Sequence, residues 1–221
     1  MNISEGIKSR RTVRGFKPEP VPNATLQTIF STAQLAPSNC NTQPWHCAVF
    51  SGEARKELEQ RLLTTITKNV EQTPFFRPGD SGLDGVYKDR QYACAYRYYD
   101  TMGIARDDRE KRKQLSLKNW QFFGAPHVGI LSMPKTMGEV NGLDVGIYLQ
   151  TLMLLFVEHG IASCALGSAA RYPAPIIEMG GVPEGNAVLC GIAFGYEDVG
   201  AQINDVKMPR SSLEDAVTFI D

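Results

Sequence analysis

The sequence predicts a domain of mixed α and β class, because helical patterns and short apolar strands alternate along it. Apolar residues recur at helical spacing between residues 26 and 33. Apolar runs of strand length lie at 127–133 and 186–196. A longer segment, 142–160, is apolar almost all round, which is typical of a helix at the centre of a domain or buried in a partner subunit. With 221 residues, 43% of them hydrophobic, the chain can form one medium domain, alone or with an excursion.

The first third of the chain predicts a helix, a strand and a second helix. The first helix begins near Asn23, a candidate N-cap, and stops before Pro37. A strand follows over 45–50, and a helix with leucines on one side follows over 53–66.

The middle of the chain is different in composition. Residues 69–106 mix Pro, Gly and Asp with Phe and Tyr, which predicts a long irregular segment. Such a segment in a compact domain is often a lid or a binding loop. The alternative is a packing excursion that buries its own aromatic rings, and the sequence does not decide between the two. A charged amphipathic helix is predicted to begin the next segment, 107–123.

The last third predicts two strands, a long helix and a late helix. The apolar helix over 142–160 has a natural stop at Gly160. The late helix is predicted from "SSLEDAV", where Ser212 and Asp215 have capping-box spacing.

Composition argues against several classes of protein. The formal net charge of -1 gives no reason to expect nucleic-acid binding. The five cysteines form no CxxC pair and no zinc-like spacing with histidine, so we expect no metal site and free thiols in a reducing cytoplasm. The N-terminus has no apolar segment of the signal-peptide type, and the most apolar stretch, 147–157, is too short to span a bilayer. A soluble cytoplasmic protein is therefore expected.

Common catalytic motifs are absent. The sequence contains no GxSxG, Walker A, HExxH or GxGxxG pattern. His127 stands at a strand start and His159 at a helix end, and both places have ordinary structural explanations. A hydrolase built on a histidine base is unsupported.

Three polar features could carry chemistry. "KSRRTVRGF" gathers arginines whose guanidinium forks suit phosphate or the carbonyl edge of a ring. Small and amide residues over 38–43 separate the first helix from the first strand. Arg210 precedes the predicted late helix, at a position that favours anions. Taken singly, these are equally well explained as a solvated terminus, a capped turn and a surface arginine.

The order of the motifs is more specific than any one of them. "SRRTVRGF", "APSNCNTQPWHCAVF", "FFGAPHVGIL", "LQTLMLLFVEHGIASCALG" and "CGIAFGYED", with the closing pair Asn204 and Arg210, together resemble the nitroreductase family of flavoenzymes. The resemblance covers nearly the whole chain, and its first two motifs are the specific ones. The aromatic insert and "NWQFFGAP" look most like the longer-lidded nitroaromatic reductases.

The resemblance implies an α+β fold with three α/β/α layers around a mostly antiparallel sheet. It also implies an intertwined homodimer that binds FMN non-covalently at its interface. NADH or NADPH would donate hydride to the flavin, and a small-molecule acceptor would then take it up in a ping-pong scheme. The chain would be a single domain over 1–221 with a lid or insert at about 69–118.

Cofactor-binding positions follow from the resemblance, residue by residue. Arg10, Arg11 and Thr12 match positions that hold the FMN phosphate and ribityl region, as does Arg210 for the phosphate. Arg14 matches a cation near flavin N1 and the C2 carbonyl, where it would stabilise the reduced ring. Pro37, Ser38 and Asn39 match a loop that the partner subunit places against the ring. The remaining positions match contacts to the ribityl chain or the ring, and they are Asn41, Gln43, Asn119, Ala165, Leu166 and Gly167.

Function is implied at the level of reaction class. No side chain need act as a catalytic nucleophile, because the flavin carries the hydride chemistry. Candidate substrate contacts in the insert and after it are Phe76, Tyr96, Tyr99 and Phe123. Nitroaromatic, quinone or related acceptors are expected. Reductive dehalogenation, flavin fragmentation and a biosynthetic dehydrogenation are alternatives on the same fold. Two further alternatives are a flavin-storage protein without turnover and a protein that binds no flavin.

Overall fold

One antiparallel sheet forms the centre of the protein. The computed structural model describes residues 2–220. The sheet has four strands in the order β1-β2-β4-β3, and every neighbouring pair is antiparallel. The strands are β1 (His46–Ser51), β2 (His127–Pro134), β3 (Ala162–Leu166) and β4 (Asn186–Gly195).

Helices and short 3-10 turns connect the strands. The helices are α1 (Ile3–Ser9), α2 (Asn23–Ala33), α3 (Gly52–Thr67), α4 (Gly85–Thr101), α5 (Arg109–Leu117), α6 (Glu139–Glu158) and α7 (Pro173–Glu178). The 3-10 turns are Asn39–Asn41, Phe122–Gly124, Gly167–Arg171 and Gln202–Asp205. The predicted helices at α2, α3, α5 and α6 and the predicted strands at β1, β2 and β4 are therefore confirmed. Pro22, not Asn23, occupies the N-cap of α2.

Two apolar clusters cover opposite faces of the sheet, so the protein has three layers. On β2, Ile130 packs in one cluster and its neighbour Leu131 in the other, as alternation along a strand requires. Helices α3 and α7 close the face of Ile130 through Leu58, Leu62 and Ile176. Helices α2 and α6 close the opposite face, where Ile29, Leu152 and Phe156 are fully buried.

Helix α6 is apolar on two sides but buried on one. Its buried stripe runs from Asp144 to Phe156. The other side exposes Val140, Leu143 and Ile147, at 67%, 68% and 42% of their surface. Among the described helices, α6 alone is long and apolar enough to cross a membrane, which is weak evidence because core helices of soluble proteins meet the same criterion. Among residues 2–220, this outer side of α6 therefore remains an exposed apolar surface.

Two secondary-structure predictions from the sequence are wrong, and one strand was missed. The irregular segment over 69–106 contains the 17-residue helix α4, and three of its rings, on Tyr87, Tyr92 and Tyr96, are exposed rather than buried in the excursion. Strand β3 was not predicted. The late helix does not form: the backbone N–H of Ser212 donates to Asp215 Oδ2 at 3.3 Å, but only one turn follows. Arg210 therefore precedes no helix.

Candidate functional site

The arginine-rich N-terminal segment lies along the outer edge of β3. Thr12 pairs with Ser163 in a parallel bridge, and the N–H of Val13 donates to the Ser163 carbonyl at 3.0 Å. Further on, the N–H of Lys17 donates to the Tyr196 carbonyl at 2.8 Å. The fold thus brings residues 10–14 beside residues 162–167, two segments that the sequence analysis assigned to the same site.

Asn204 fixes the backbone next to Arg14. Its Oδ1 accepts the Arg14 N–H at 2.8 Å, and its Nδ2 donates to the carbonyls of Gly15 at 2.9 Å and Asp198 at 3.0 Å. The side chain is buried, so all three bonds form away from water. Gly15 is required here, because a Cβ on it would lie 2.3 Å from the Cβ of Ala201.

The guanidinium of Arg14 is held by aromatic groups rather than by a carboxylate. It hydrogen-bonds the Tyr98 hydroxyl, lies 4.3 Å over the Tyr98 ring centroid and lies 5.4 Å over that of Phe123. Among residues 2–220 it makes no ion pair. Cation–π contacts orient the charge without neutralising it. Arg14 is thus a fixed cation that an anionic or carbonyl-bearing ligand can still pair with.

The other predicted arginines differ in the hydrogen bonds and ion pairs that they form. Arg11 pairs with Glu197 and donates to the Asn204 carbonyl at 2.8 Å. Arg10 makes no side-chain hydrogen bond or ion pair within the described chain. Arg210 donates only to the carbonyls of its neighbours Met208 and Pro209, in an exposed C-terminal tail. The structure brings Arg10 and Arg11 to the edge of β3 but does not bring Arg210 into contact with them.

The polar loop over 38–43 is a strained turn held by a buried carboxylate. Cys40, Asn41 and Gln43 all have positive φ values, of 49°, 54° and 46°. Such backbone costs energy in residues other than glycine and must be held by its surroundings. Asp144 of α6, 5% exposed, accepts the Asn39 N–H at 3.0 Å.

Inside the same loop, Ser38 Oγ accepts the Gln43 N–H at 2.9 Å, and Gln43 Nε2 donates to the Asn41 carbonyl at 3.1 Å. Pro37 and the side chains of Asn39, Asn41 and Gln43 are exposed. No hydrogen bond or ring contact among residues 2–220 joins this loop to Arg14. The loop is preformed for a ligand, but one chain does not close it onto the sheet edge.

The segment after Ser163 is open on its outer side. Strand β3 is the last strand of the sheet, and the bridge from Thr12 is the one pairing on its outer edge among the described residues. Ala165 and Gly167 are exposed, whereas Leu166 is buried in the core. The backbone of 165–167 can therefore approach a flat ring without a side chain in the way.

The candidate substrate residues do not share one cleft. Phe123 is 8% exposed and lies under Arg14, in the middle of the 3-10 turn that follows Asn119. Asn119 itself donates from Nδ2 to the Ser116 carbonyl at 2.9 Å. Phe76 packs with the cluster of α2 and α6. Tyr96 and Tyr99 line a separate cleft beside α4.

Three thiols and the buried histidine are poor reactive groups. Burial raises the pKa of Cys47 and of Cys190 to about 12. Burial also raises the pKa of Cys164 to about 11, although the charge of Arg14 opposes this shift. His127 has its pKa lowered by burial and is bonded on both ring nitrogens. Within the described residues, no group of three or more His, Cys, Asp or Glu could hold a metal ion.

Two contributors to the site were missed in the sequence. Tyr98 is one of several tyrosines in the insert, and nothing in the pattern distinguishes it from Tyr96 or Tyr99. Asp144 did carry a signal, because a single carboxylate on the buried stripe of an apolar helix needs a partner.

Comparisons with known proteins agree with this fold and this motif order. The nitroreductase family model matches residues 7–196. Nitroreductase NfnB of Mycolicibacterium smegmatis is 41% identical over 215 residues, which cover 96% of this chain and 90% of that protein. A 4-nitrobenzoate reductase of Pseudomonas putida is 33% identical over 214 residues, covering 97% and 93%. The crystal structure of the FMN-dependent nitroreductase NfnB from Mycobacterium smegmatis in complex with NADPH has a TM-score of 0.94 at 38% identity, covering 99% of this chain and 97% of that one.

Proposed function

The chain belongs to the nitroreductase family, and from this premise we propose that it is an FMN-dependent oxidoreductase. It transfers hydride from NADPH or NADH to nitroaromatic, quinone or related small-molecule acceptors. The observation that carries the proposal is Arg14, a fixed cation at the edge of the sheet that pairs with no carboxylate of residues 2–220. FMN, when bound, supplies the hydride-accepting and hydride-donating chemistry.

The residues around Arg14 fit such a cofactor. A guanidinium held by Tyr98 and Phe123 can stabilise the negative charge that a reduced ring carries at its pyrimidine end. Within the described part of the chain, Arg10 forms no ion pair, so its guanidinium suits a phosphate. The exposed amides of the 38–43 loop supply neutral donors and acceptors for the ribityl chain and the ring edge.

We assign the cofactor site to the full predicted set. It comprises Arg10, Arg11, Thr12, Arg14, Pro37, Ser38, Asn39, Asn41, Gln43, Asn119, Ala165, Leu166, Gly167 and Arg210. Support comes from the sheet-edge position of 10–14 and from the arginines Arg10 and Arg210, which form no ion pair among residues 2–220.

The functional unit in this proposal is a homodimer. Support comes from the exposed apolar side of α6 and from the C-terminal tail, where Leu213, Phe219 and Ile220 expose 57%, 77% and 91% of their surface. Apolar surface of this extent is unfavourable in water unless it is covered. A partner subunit that covers this surface would also bring a polar loop over the sheet edge, a contact that one chain does not make with its own loop.

The proposal also assigns the domain organisation and the cellular compartment. The chain is one domain in which residues 69–118, with α4 and α5, act as a lid, and exposed tyrosines on α4 support this role. The protein works in the cytoplasm, which agrees with five free cysteines and with thiols that burial keeps protonated.

The decisive experiment is a visible spectrum followed by anaerobic reduction. The purified protein is expected to be yellow, or to become so with added FMN, and NADPH or NADH should bleach it. A nitrobenzoate should then restore the colour. A yellow protein that neither nucleotide bleaches would refute turnover, and a protein that remains colourless with FMN would refute the cofactor assignment.

A further inference from the structure

A cleft beside α4 is lined by charged residues that have no role in the proposed hydride transfer. It encloses about 380 Å³. Its polar and aromatic lining comes from α4, from the connection after it and from α5, and consists of Tyr96, Arg97, Tyr99, Asp100, Arg106 and Arg112. In the sequence these three arginines are spread over sixteen positions, so that no phosphate-binding pair was recognisable there.

The cleft is cationic, and its neighbours hold one of its arginines in place. The guanidinium of Arg112 lies 4.6 Å over the Tyr99 ring centroid, and its Nη1 donates to the Arg106 carbonyl at 2.9 Å. Within the described chain, none of the three arginines of the cleft forms an ion pair, and Asp100 is the one carboxylate in the lining. Three guanidinium groups around one carboxylate leave an excess of positive charge that suits a dianion.

Helix α4 connects this cleft with the candidate flavin site. Tyr98 contacts Arg14, and its neighbour Tyr99 lines the cleft. Successive residues of a helix are separated by about 1.5 Å along its axis and by about 100° around it. Tyr98 and Tyr99 therefore lie on adjacent sides of the same turn, so the cleft and the candidate flavin site are neighbours along α4.

We propose that this cleft binds the phosphorylated adenosine end of NADPH and makes the protein prefer NADPH to NADH. The inference rests on the proposed function and adds its nucleotide specificity. The tyrosine rings offer flat surfaces for adenine, and the Arg106 and Arg112 guanidinium groups offer the forked donors that a ribose 2′-phosphate requires. NADH lacks that phosphate and would gain nothing from the two arginines.

Steady-state kinetics with both nucleotides tests the inference. Arg106→Gln is the cleaner variant, because the contact from Arg112 is to the backbone carbonyl of residue 106 and survives the change. We expect at least a tenfold higher KM for NADPH, with kcat and the KM for NADH unchanged. Arg112→Gln should act in the same direction. Arg109→Gln, an exposed arginine of α5 outside the cleft lining, is the matched control and should change neither KM.

A binding measurement separates this inference from the proposed function. In calorimetric titrations without turnover, adenosine 2′,5′-bisphosphate should bind at least tenfold more tightly than 5′-AMP, and Arg106→Gln should remove the difference. Equal binding of the two probes, or an equal loss of NADPH and NADH use in the variant, would overturn the inference while the flavin assignment stood. A protein that takes up no FMN would refute the proposed function, and the titration would still test the cleft.

Discussion

The sheet edge around Arg14 and the outward-facing polar loop over 38–43 contrast in how completely one chain builds them. At the sheet edge, Asn204 bonds three backbone groups, and two rings hold the Arg14 guanidinium. The loop has a fixed backbone but exposed side chains, and it lies at the same end of α6 as exposed Leu143 and Val140. One chain completes the first region but leaves the second open, as the proposed homodimer requires.

The largest expected effect comes from breaking the association. Ile147→Glu places a carboxylate on the apolar outer side of α6, where a symmetric dimer would bury it twice. Because burying an unpaired carboxylate costs several kcal/mol, we expect the dimer to weaken by at least about 4 kcal/mol, or roughly a thousandfold. Light scattering after size-exclusion chromatography would show a monomer that has lost its FMN.

Val70→Glu is the matched control for this variant. Val70 is 49% exposed, close to the 42% of Ile147, but it follows α3 rather than lying on α6. It should leave the dimer and the bound FMN unchanged. An Ile147→Glu protein that remained a yellow dimer would contradict the assignment of α6 to the interface.

The second effect tests the role of Arg14 at the sheet edge. Arg14→Ala removes the fixed cation but keeps the predicted phosphate contacts, so FMN should still bind. Loss of one preorganised charge interaction with the reduced ring is expected to cost about 2–4 kcal/mol, which slows reduction by roughly 30- to 1000-fold. Stopped-flow absorbance with excess NADPH measures this rate. Arg14→Lys should recover part of it, and an unchanged rate in Arg14→Ala would refute the assignment.

The same contrast explains which elements could be predicted from the sequence. Helices α2 and α6 and strands β2 and β4 have buried faces, so their apolar patterns were readable. Helix α4 buries no residue fully within the chain, and its sequence therefore carries no hydrophobic stripe. The single turn at 213–217 has a local capping bond but no buried face, and capping alone does not extend a helix.

The candidate site could be proposed from the sequence where its motifs are contiguous. The arginine cluster and the polar loop could be placed from "SRRTVRGF" and "PSNCNTQ". The partners that orient them come from distant positions, since Asn204 and Tyr98 lie 190 and 84 residues from Arg14. Spacing within a motif cannot reveal such contacts, because the sheet and α4 create them only in the folded chain.

A third, smaller effect concerns the link between the loop and α6. Asp144→Leu leaves the Asn39 N–H without its acceptor and removes one restraint on a loop with three positive φ values. An unpaired backbone donor costs about 1–3 kcal/mol, so we expect the FMN dissociation constant to rise by roughly 5- to 140-fold. Fluorescence titration of the apoprotein measures it.

Asp144→Asn provides the control, because its Oδ1 can still accept the Asn39 N–H. This variant should bind FMN nearly as the wild type does. If both variants lost FMN equally, the carboxylate charge rather than the hydrogen bond to the loop would be responsible, and the proposed link would be wrong.

The smallest effect concerns the sheet on which both regions depend. His127 Nε2 accepts the Val21 N–H at 2.9 Å, so the neutral ring is the form that the fold requires. Burial lowers the pKa of His127 below 6.5 in the folded state. As the pH falls below about 6.5, the unfolded chain therefore binds a proton more readily than the folded chain does, and the free energy of unfolding decreases by at most about 1.4 kcal/mol per pH unit.

Urea unfolding at pH 7.5 and 5.5 should show this loss. His127→Gln should reduce the loss, whereas His159→Gln, at an exposed position, should not. An identical pH dependence in the wild type and in His127→Gln would mean that the titrating group lies elsewhere.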